Sequence, residues 1–448
     1  MTTGFYAFLV FTVSFCESKG DTKWKSRMAE LKTNERITLV GGGSVTIKKE
    51  LGRGGQGIVY LVDMNGKEMA LKWYINAPDN YFYTNLNNNI LNGAPSDAFL
   101  WPKALTERQK GSYGYVMDLR PKNYFEFGSF LMAKQRFASF DAMLNAAMKI
   151  CNGFMMLHRF GYSYQDLNDG NFFIDPNTGD VLICDNDNVM PQGEKSGIMG
   201  KARYMAPEVV AGGVPDKYSD RYSLSVILFM LFYANHPLEG AKVVACPCMT
   251  EAYEKKFYGS EAVFIYNPND KSNLPVRGIH QNVIRRWPVL PAVLRETFTR
   301  EFSEEMLRNP QKRMIEQNWE KLIATLRDCL VVCPHCKGET FIEEGKNTCM
   351  DCGKSIDTSL KMKLGARTLY ITEGTKLYID HDNIADVQVL RDAKAGLLLL
   401  KNLSSDTTWT AETPSGKLKA VAPSEMMPVK AGIKVSFNQN IKAEIIEN

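Results

Sequence analysis

The chain of 448 residues has no apolar run long enough to cross a bilayer as a helix, which takes about 20 consecutive apolar residues. One candidate, 5–15, is too short. Another, 222–233, is introduced by Asp220, read as its cap, and by Arg221, and is closed by His236 and Pro237, the length of a buried core helix. A membrane is therefore not an expected partner. The 5–15 run also lacks the basic flank and small-residue cleavage site of a secretory signal. Residues 1–36 read as a leader or a start-site extension, with Met28 as an alternative start. Strong charge is missing too: 54 Lys and Arg against 50 Asp and Glu leave +4, which gives no footprint for nucleic acid. A disulfide framework is absent as well. Of ten cysteines, six are scattered and four form two Cys-x-x-Cys pairs. That usage suits a reducing, cytoplasmic compartment and one metal site.

What is present is globular, with 44% hydrophobic and 23% charged residues, over a length that suggests about two to four domains. Residues 37–49 alternate around Gly41-Gly42-Gly43 and read as strand, turn, strand. Gly52, Gly54, Gly57 and Val59 follow as G-x-G-x-x-G-x-V. Glycines there let backbone amides approach phosphates. A dinucleotide-binding turn would be followed by a helix. Here 58–62 continues as a strand, so the glycines belong to a hairpin. Asn65-Gly66 makes a tight turn, and 68–74, with Ala70 and Lys72, is the next strand.

A second cluster lies between 162 and 187. Asp166 and Asn171 stand five residues apart, followed by the apolar run 172–174. Alone, this spacing is weak, and the roles of the two residues follow only from the resemblance given below. A helical pattern over 140–160 delivers the chain to this loop, and His158 on it reads as structural. Two short strands, 172–175 and 181–184, turn across Asn177-Thr178-Gly179 and end in the acidic turn Asp185-Asn186-Asp187. Ala98–Leu100 and Tyr113–Met117 read as further strands.

In order and spacing, the glycine hairpin, Ala70-Leu71-Lys72, Asp166 with Asn171, Asp185, Ala206-Pro207-Glu208 and Arg313 resemble the motifs of Ser/Thr-type protein kinases. The resemblance implies an α+β two-lobed protein kinase fold over 37–327. Its small lobe would run to about 118, its hinge would be Met117-Asp118-Leu119-Arg120, and its large lobe would start at about 121. It also implies ATP with Mg or Mn as cofactors. Gly52, Gly54, Gly57, Val59, Ala70, Lys72, Met117, Asp118, Leu119 and Phe173 would hold the nucleotide, Asn171 and Asp185 the metal. Asp166 would take the hydroxyl proton as γ-phosphate moves to Ser/Thr hydroxyls of protein substrates, autophosphorylation included. Glu208 would pair with Arg313. The stretch 238–291, with Phe264-Ile265-Tyr266-Asn267-Pro268 and Arg285-Arg286-Trp287-Pro288, resembles a bacterial subgroup whose kinases occur with phosphatase and von Willebrand-type partner proteins.

The sequence also departs from that pattern. The helix expected over 80–91 has no Glu to pair with Lys72. With Ile90 and Leu91 as the inward pair, Asn87 falls in that position, and an amide brings no charge. Asp185-Asn186-Asp187 stands where kinases carry D-F-G: Asn186 cannot pack as the aromatic would, and Asp187 adds a carboxylate near the metal. Gln165 replaces the Arg that grips a phosphorylated activation loop, and 188–200 offers Ser196 alone as an acceptor. Activity is therefore expected to be independent of loop phosphorylation. Asn168 stands where Ser/Thr kinases carry a Lys that contacts the transferring phosphate, and Lys201 where they carry a Thr. The pair suggests an exchange in which Lys201 supplies the catalytic cation. The alternative to an enzyme is a pseudokinase scaffold that binds nucleotide and assembles partners through its C-terminal domains.

Beyond the kinase-like region, Cys333-x-x-Cys336 and Cys349-x-x-Cys352 are separated by 12 residues. Two such knuckles resemble a zinc ribbon over 330–356 with a closed, structural Zn site. His335, inside a knuckle, reads as a bystander. The ribbon is expected to fold locally, so that losing Cys349 would leave kinase-lobe melting little changed. Residues 360–448 alternate polar and apolar in short runs, at 368–372, 376–379, 396–402, 407–412, 433–437 and 442–446. This is the pattern of a small all-β, sandwich-like domain. Leu400–Ser405 and Val429–Phe437 resemble pieces of a forkhead-associated domain, without its phosphothreonine-reading features, which implies a plain interaction module.

Overall fold

A computed structural model describes residues 30–195, 200–380 and 384–447. The 5–15 run, Met28 and Ser196 lie outside the described residues. The described chain divides into two compact units. One runs to Gly93 and includes Pro102–Leu119; the other is Ala94–Trp101 with the chain from Arg120 on.

The first unit is an antiparallel sheet of β1 (Arg36–Thr38), β2 (Ser44–Arg53), β3 (Gly57–Met64), β4 (Lys67–Tyr74), β5 (Ala104–Leu105) and β6 (Gly114–Met117), in the order β1-β2-β3-β4-β6-β5. Alternation in these strands puts Ile37, Val45, Ile47, Ile58, Val62, Leu71 and Trp73 into one apolar cluster. The glycine hairpin closes with Gly54 N donating to Gly57 O at 2.9 Å. Gly57 has no room for a side chain, since a Cβ would lie 2.6 Å from Trp73 O. Among the described residues of this unit there is one helix, α1 (Asn80–Asn92). Asp79 caps it by accepting from Phe82 N, and Gly93 ends it with φ 79°.

The inner face of α1 is not the expected one. Phe82, Asn85, Leu86 and Asn89 are buried, whereas Leu91 is 76% exposed, and Asn87 is only half-buried. The caps set the helical phase. Phe82, Leu86 and Asn89 then fall on one stripe of 3.6-residue period, and Ile90 and Leu91 sit past it in the last turn. The buried amides are Asn85 and Asn89.

The second unit is built on three long helices, α2 (Phe140–Arg159), α3 (Lys217–Tyr233) and α4 (Glu316–Cys329). From Tyr222 to Tyr233 every residue of α3 is buried, so the apolar run is the core helix expected of it. Asp220 is not its cap. Asp216 is: its carboxylate accepts from Tyr218 N and Ser219 N, and Ser219 Oγ accepts in return from Asp216 N. Asp220 is one turn inside. It accepts from Tyr164 N at 2.7 Å and lies 3.1 Å from His158 Nε2. His158 Nδ1 reaches Glu316 at 2.9 Å, and Arg221 Nε donates to the same carboxylate at 2.8 Å. His158 is thus a buried tie between α2, α3 and α4. Ala98–Leu100 is no strand but a single bridge, Phe99 to Ile183.

The cysteine-rich segment is packed into this unit rather than appended to it. Leu330–Val332 pairs with Glu339–Phe341, and both Leu330 and Phe341 belong to the core formed by α2, α3 and α4. The Phe140 and Phe341 rings are 5.3 Å apart. Glu339 accepts from Phe140 N and Asp141 N at the start of α2, and Glu343 from Ala292 N, the first residue of helix Ala292–Glu301. A carboxylate at a helix N-terminus stabilises it through orphan amides and the helix dipole. These contacts count against a ribbon that folds on its own.

Residues 360–447 form two antiparallel sheets, one of six strands and one of four, and both contribute to one apolar cluster that includes Met362, Val389, Leu400, Trp409 and Ile445. Strands Leu360–Leu364, Val387–Arg391, Leu418–Val421 and Met426–Pro428 were not foreseen. Arg367 holds Asp328 of α4 through two bonds of 2.8 and 2.7 Å. Tyr378 OH donates to Asp141 of α2 at 2.5 Å. No helix among the described residues is long and apolar enough to cross a membrane.

Two helix caps of about 1 kcal/mol each depend on the cysteine-rich segment. Cys349→Ser is expected to lower the melting temperature of the second unit by about 3–8 °C in scanning calorimetry. A variant whose main transition stays in place would return the ribbon to independence.

Candidate functional site

In the first unit, Lys72 lies on β4 opposite Val59 of β3, and Ala70 lies opposite Met117 of β6. Lys72 is 5% exposed. Its ammonium is 3.5 Å from Gln56 Oε1 of the glycine hairpin and 5.8 and 6.0 Å from the centroids of Tyr74 and Tyr115. Aromatic faces stabilise a desolvated cation. Gly52 has open space where a Cβ would go, and at Gly54 a Cβ would come no nearer than 4.0 Å to Gly57 O. Asp118 is tied to Lys67 at 3.0 Å and to Lys103.

In the second unit, strand Tyr162–Tyr164 pairs with Val189–Pro191 and leads into the loop of Asp166. Asn168 organises that loop. Its Oδ1 accepts from Gly170 N at 3.0 Å, capping the short turn Asp169–Asn171, and from Lys201 Nζ at 3.1 Å. Its Nδ2 donates to the Asp166 carbonyl at 3.1 Å and to Asp166 Oδ1 at 3.3 Å. Burial pushes the Asp166 carboxyl up to about 6. The Asn168 hydrogen bond and Lys201 pull it down, while Asp185 pushes it further up. Gly200 brings its segment close, since a Cβ there would be 3.3 Å from Asp166 Oδ1.

Asn171 and Asp185 are linked through a residue the sequence reading overlooked. Asn171 Nδ2 donates to Tyr164 OH at 2.9 Å, and Tyr164 OH donates to Cys184 O, the peptide just before Asp185. That bond commits the amide nitrogen of Asn171 and leaves its oxygen as an acceptor for a cation. Asp185 has left-handed backbone, φ 55° and ψ 42°. Such strain in a non-glycine residue persists where surroundings enforce it. Asn186 is held by polar bonds, its Nδ2 donating to Leu100 O and Ile183 O, both at 2.9 Å. Asp187 is fully buried. The Arg120 guanidinium lies 4.3 Å from the centroid of the Phe173 ring.

Around this loop, Gln165 Nε2 donates to Glu194 O. Glu208 and Arg313 pair through two bonds of 2.7 Å, with Arg313 1% exposed. At the cysteine cluster the four sulfurs of Cys333, Cys336, Cys349 and Cys352 lie within 4.8 Å of one another, with Cys333–Cys352 at 3.8 Å and Cys336–Cys349 at 3.6 Å. A tetrahedral ion with bonds of about 2.3 Å to sulfur sets sulfur separations of about 3.8 Å, so the donor set fits one. The two knuckles turn alike: Lys337 N bonds Cys333 O and Gly353 N bonds Cys349 O, both turn residues having positive φ. His335 bonds Ser355 O instead, outside the cluster.

The family model described as protein kinase domain matches residues 45–314. Protein kinase C delta type of Rattus norvegicus is 29% identical over 208 residues, 44% of this chain and 30% of that protein. A probable serine/threonine-protein kinase PknB of Corynebacterium glutamicum is 28% identical over 103 residues, 21% of this chain and 16% of that protein. The chain thus spans under a third of the length of these two relatives. Among solved structures, the PknI kinase domain of Mycobacterium tuberculosis, as a C20A_R136A double mutant, is similar at 17% identity and a TM-score of 0.45, covering 66% of this chain and 98% of that one.

The pair of Asp166 and Asn168 makes a direct prediction. In infrared difference titration of wild type against Asp166→Asn, the Asp166 carboxyl should protonate with a midpoint near about 6, above the ordinary value of 3.8. A midpoint at the ordinary value would mean that burial of the loop is wrong.

Proposed function

The chain belongs to the protein kinase domain family, and on that premise we propose that it transfers the γ-phosphate of ATP to Ser/Thr hydroxyls of proteins, its own chain among them. The observation that carries the reading is the loop in which Asn168 bonds both Asp166 and Lys201, with Asn171 joined through Tyr164 to the peptide before Asp185. Asp166, with its carboxyl raised to about 6, is ionised at neutral pH and still basic enough to take the hydroxyl proton. Asn171 and Asp185 would hold Mg or Mn, which when bound would neutralise phosphate charge. In the first unit, Lys72 and the hairpin of Gly52, Gly54 and Gly57 grip phosphates. Val59, Ala70 and Met117–Leu119 contact the base. Positioning and charge neutralisation supply most of the rate in this class.

The bond from Gln165 to Glu194 supports activity without loop phosphorylation. It anchors the activation segment with no phosphate to grip. Zinc in the four-thiolate site would hold the ribbon, and through Glu339 and Glu343 the helices it caps. We read 360–447 as a sandwich-like, forkhead-associated-like interaction module. The 238–291 segment supports phosphatase and von Willebrand-type proteins as partners, and cysteine usage supports the cytoplasm. A second reading, the pseudokinase scaffold, is favoured by one observation: the inner face of α1 carries Asn85 and Asn89 and no carboxylate.

One measurement separates these readings, and a second tests the part given to Tyr164. With labelled ATP and a protein substrate such as casein, Asp166→Asn should cut transfer by about a hundredfold or more while nucleotide affinity changes little. Equal, trace labelling by wild type and variant would favour the scaffold. Tyr164→Phe should raise the Mg concentration needed for half-maximal activity several-fold, because it releases the Asn171 amide and removes the bond to Cys184 O. An unchanged Mg dependence would reduce Tyr164 to a packing residue.

A further inference from the structure

We infer that Lys201 is a catalytic residue, the cation that meets negative charge on the transferring phosphoryl group. This rests on the kinase reading above and adds a group that the motif residues of that reading leave out. In the reaction, the acceptor hydroxyl oxygen bonds to the γ-phosphorus and the bond from γ-phosphorus to the β-bridging oxygen breaks. The electron pair of that bond leaves with ADP, and the hydroxyl proton passes to the Asp166 carboxylate. Charge develops on the oxygens of the moving phosphoryl group. A catalytic loop of this kind needs a cation facing them, and its own residues from Asp166 to Asn171 contain none.

The structure brings one in from another segment. Lys201 Nζ donates to Asn168 Oδ1 at 3.1 Å, and the other end of the same amide donates to Asp166 Oδ1 at 3.3 Å. The amide therefore spaces the ammonium from the base, so that the two do not neutralise each other in a closed ion pair. The backbone amide of Lys201 also bonds the Asp166 carboxylate. Gly200 permits this approach, since a Cβ at that position would stand 3.1 Å from Gln165 O and 3.3 Å from Asp166 Oδ1. Lys201 is itself exposed, on a long flexible stem. It can exchange the Asn168 oxygen for a phosphate oxygen, where a lysine acts as a point charge. A lysine serving solvation alone has no reason to be aimed at the residue that holds the base.

The test uses the full chain with Mg and ATP, casein as acceptor, and four proteins: wild type, Lys201→Met, Lys201→Arg and the double change Asn168→Lys with Lys201→Thr. Three quantities are read: kcat with KM for ATP, affinity for MgADP with aluminium fluoride, and melting temperature. Lys201→Met should lower kcat by about tenfold or more with KM for ATP changed little. It should weaken the aluminium fluoride complex by a comparable factor, and melting should stay in place. Lys201→Arg should keep much of the rate, and the double change should regain part of it. Full kcat and full analogue affinity in Lys201→Met would overturn the inference, as would a loss matched by a rise in KM or by unfolding. A wild type that binds nucleotide and transfers nothing would instead overturn the kinase reading, and the role of Lys201 with it.

Discussion

The carboxylate of Asp220, buried at the start of the central helix, is the fixed point of the second unit. An ionised carboxylate out of water must be paired and hydrogen-bonded to be tolerated. Asp220 meets that condition with Tyr164 N and His158. Burial pushes its carboxyl up and His158 pulls it back. His158 in turn bonds Glu316, which also takes Arg221. Three helices and the strand entering the catalytic loop are thereby locked at one place. The position of Asp166, two residues after Tyr164, follows from that lock.

A second constraint is electrostatic. Asp166 and Asp185 repel, and burial opposes charge on Asp166. Left alone, these effects would favour a neutral, useless acid at Asp166. Asn168 and Lys201 oppose them, and they do so from different segments of the chain. The loop is thus incomplete until the segment after Gly200 folds against it. The cysteine-rich segment adds a remote version of the same dependence. Glu339 caps α2, whose far end delivers the chain to Tyr162. Integrity of the thiolate site therefore bears on the helix behind the catalytic loop.

Much of this was legible in the sequence because it is local. The glycine hairpin, the Lys72 strand, α2, the apolar α3, the Asp166 loop and the cysteine knuckles all announce themselves by spacing or period. The pairing of Glu208 with Arg313 and the approach of Lys201 to Asn168 were also anticipated, from the kinase resemblance. What failed was long-range or dependent on phase. The buried face of α1 was assigned from the apolar Ile90 and Leu91, but caps at Asp79 and Gly93 set the phase, and two asparagines went inside. Asp220 was taken for a cap because it precedes the apolar run, whereas the box of Asp216 and Ser219 lies one turn earlier. The docking of the ribbon had no local signal: Glu339 and Glu343 are ordinary charged residues until the helices they cap are brought near. Tyr164 was hidden for the same reason, its hydroxyl acquiring meaning only between Asn171 and Cys184.

The central claim is that this chain moves a phosphoryl group to a protein hydroxyl rather than holding a nucleotide. Its most direct test is a single-turnover reaction with the chain in excess over γ-labelled ATP and Mg, quenched over time and followed by phosphoamino-acid analysis. The account predicts label appearing in phosphoserine or phosphothreonine in step with release of ADP. Nucleotide bound but recovered intact, or label released only as free phosphate, would contradict it.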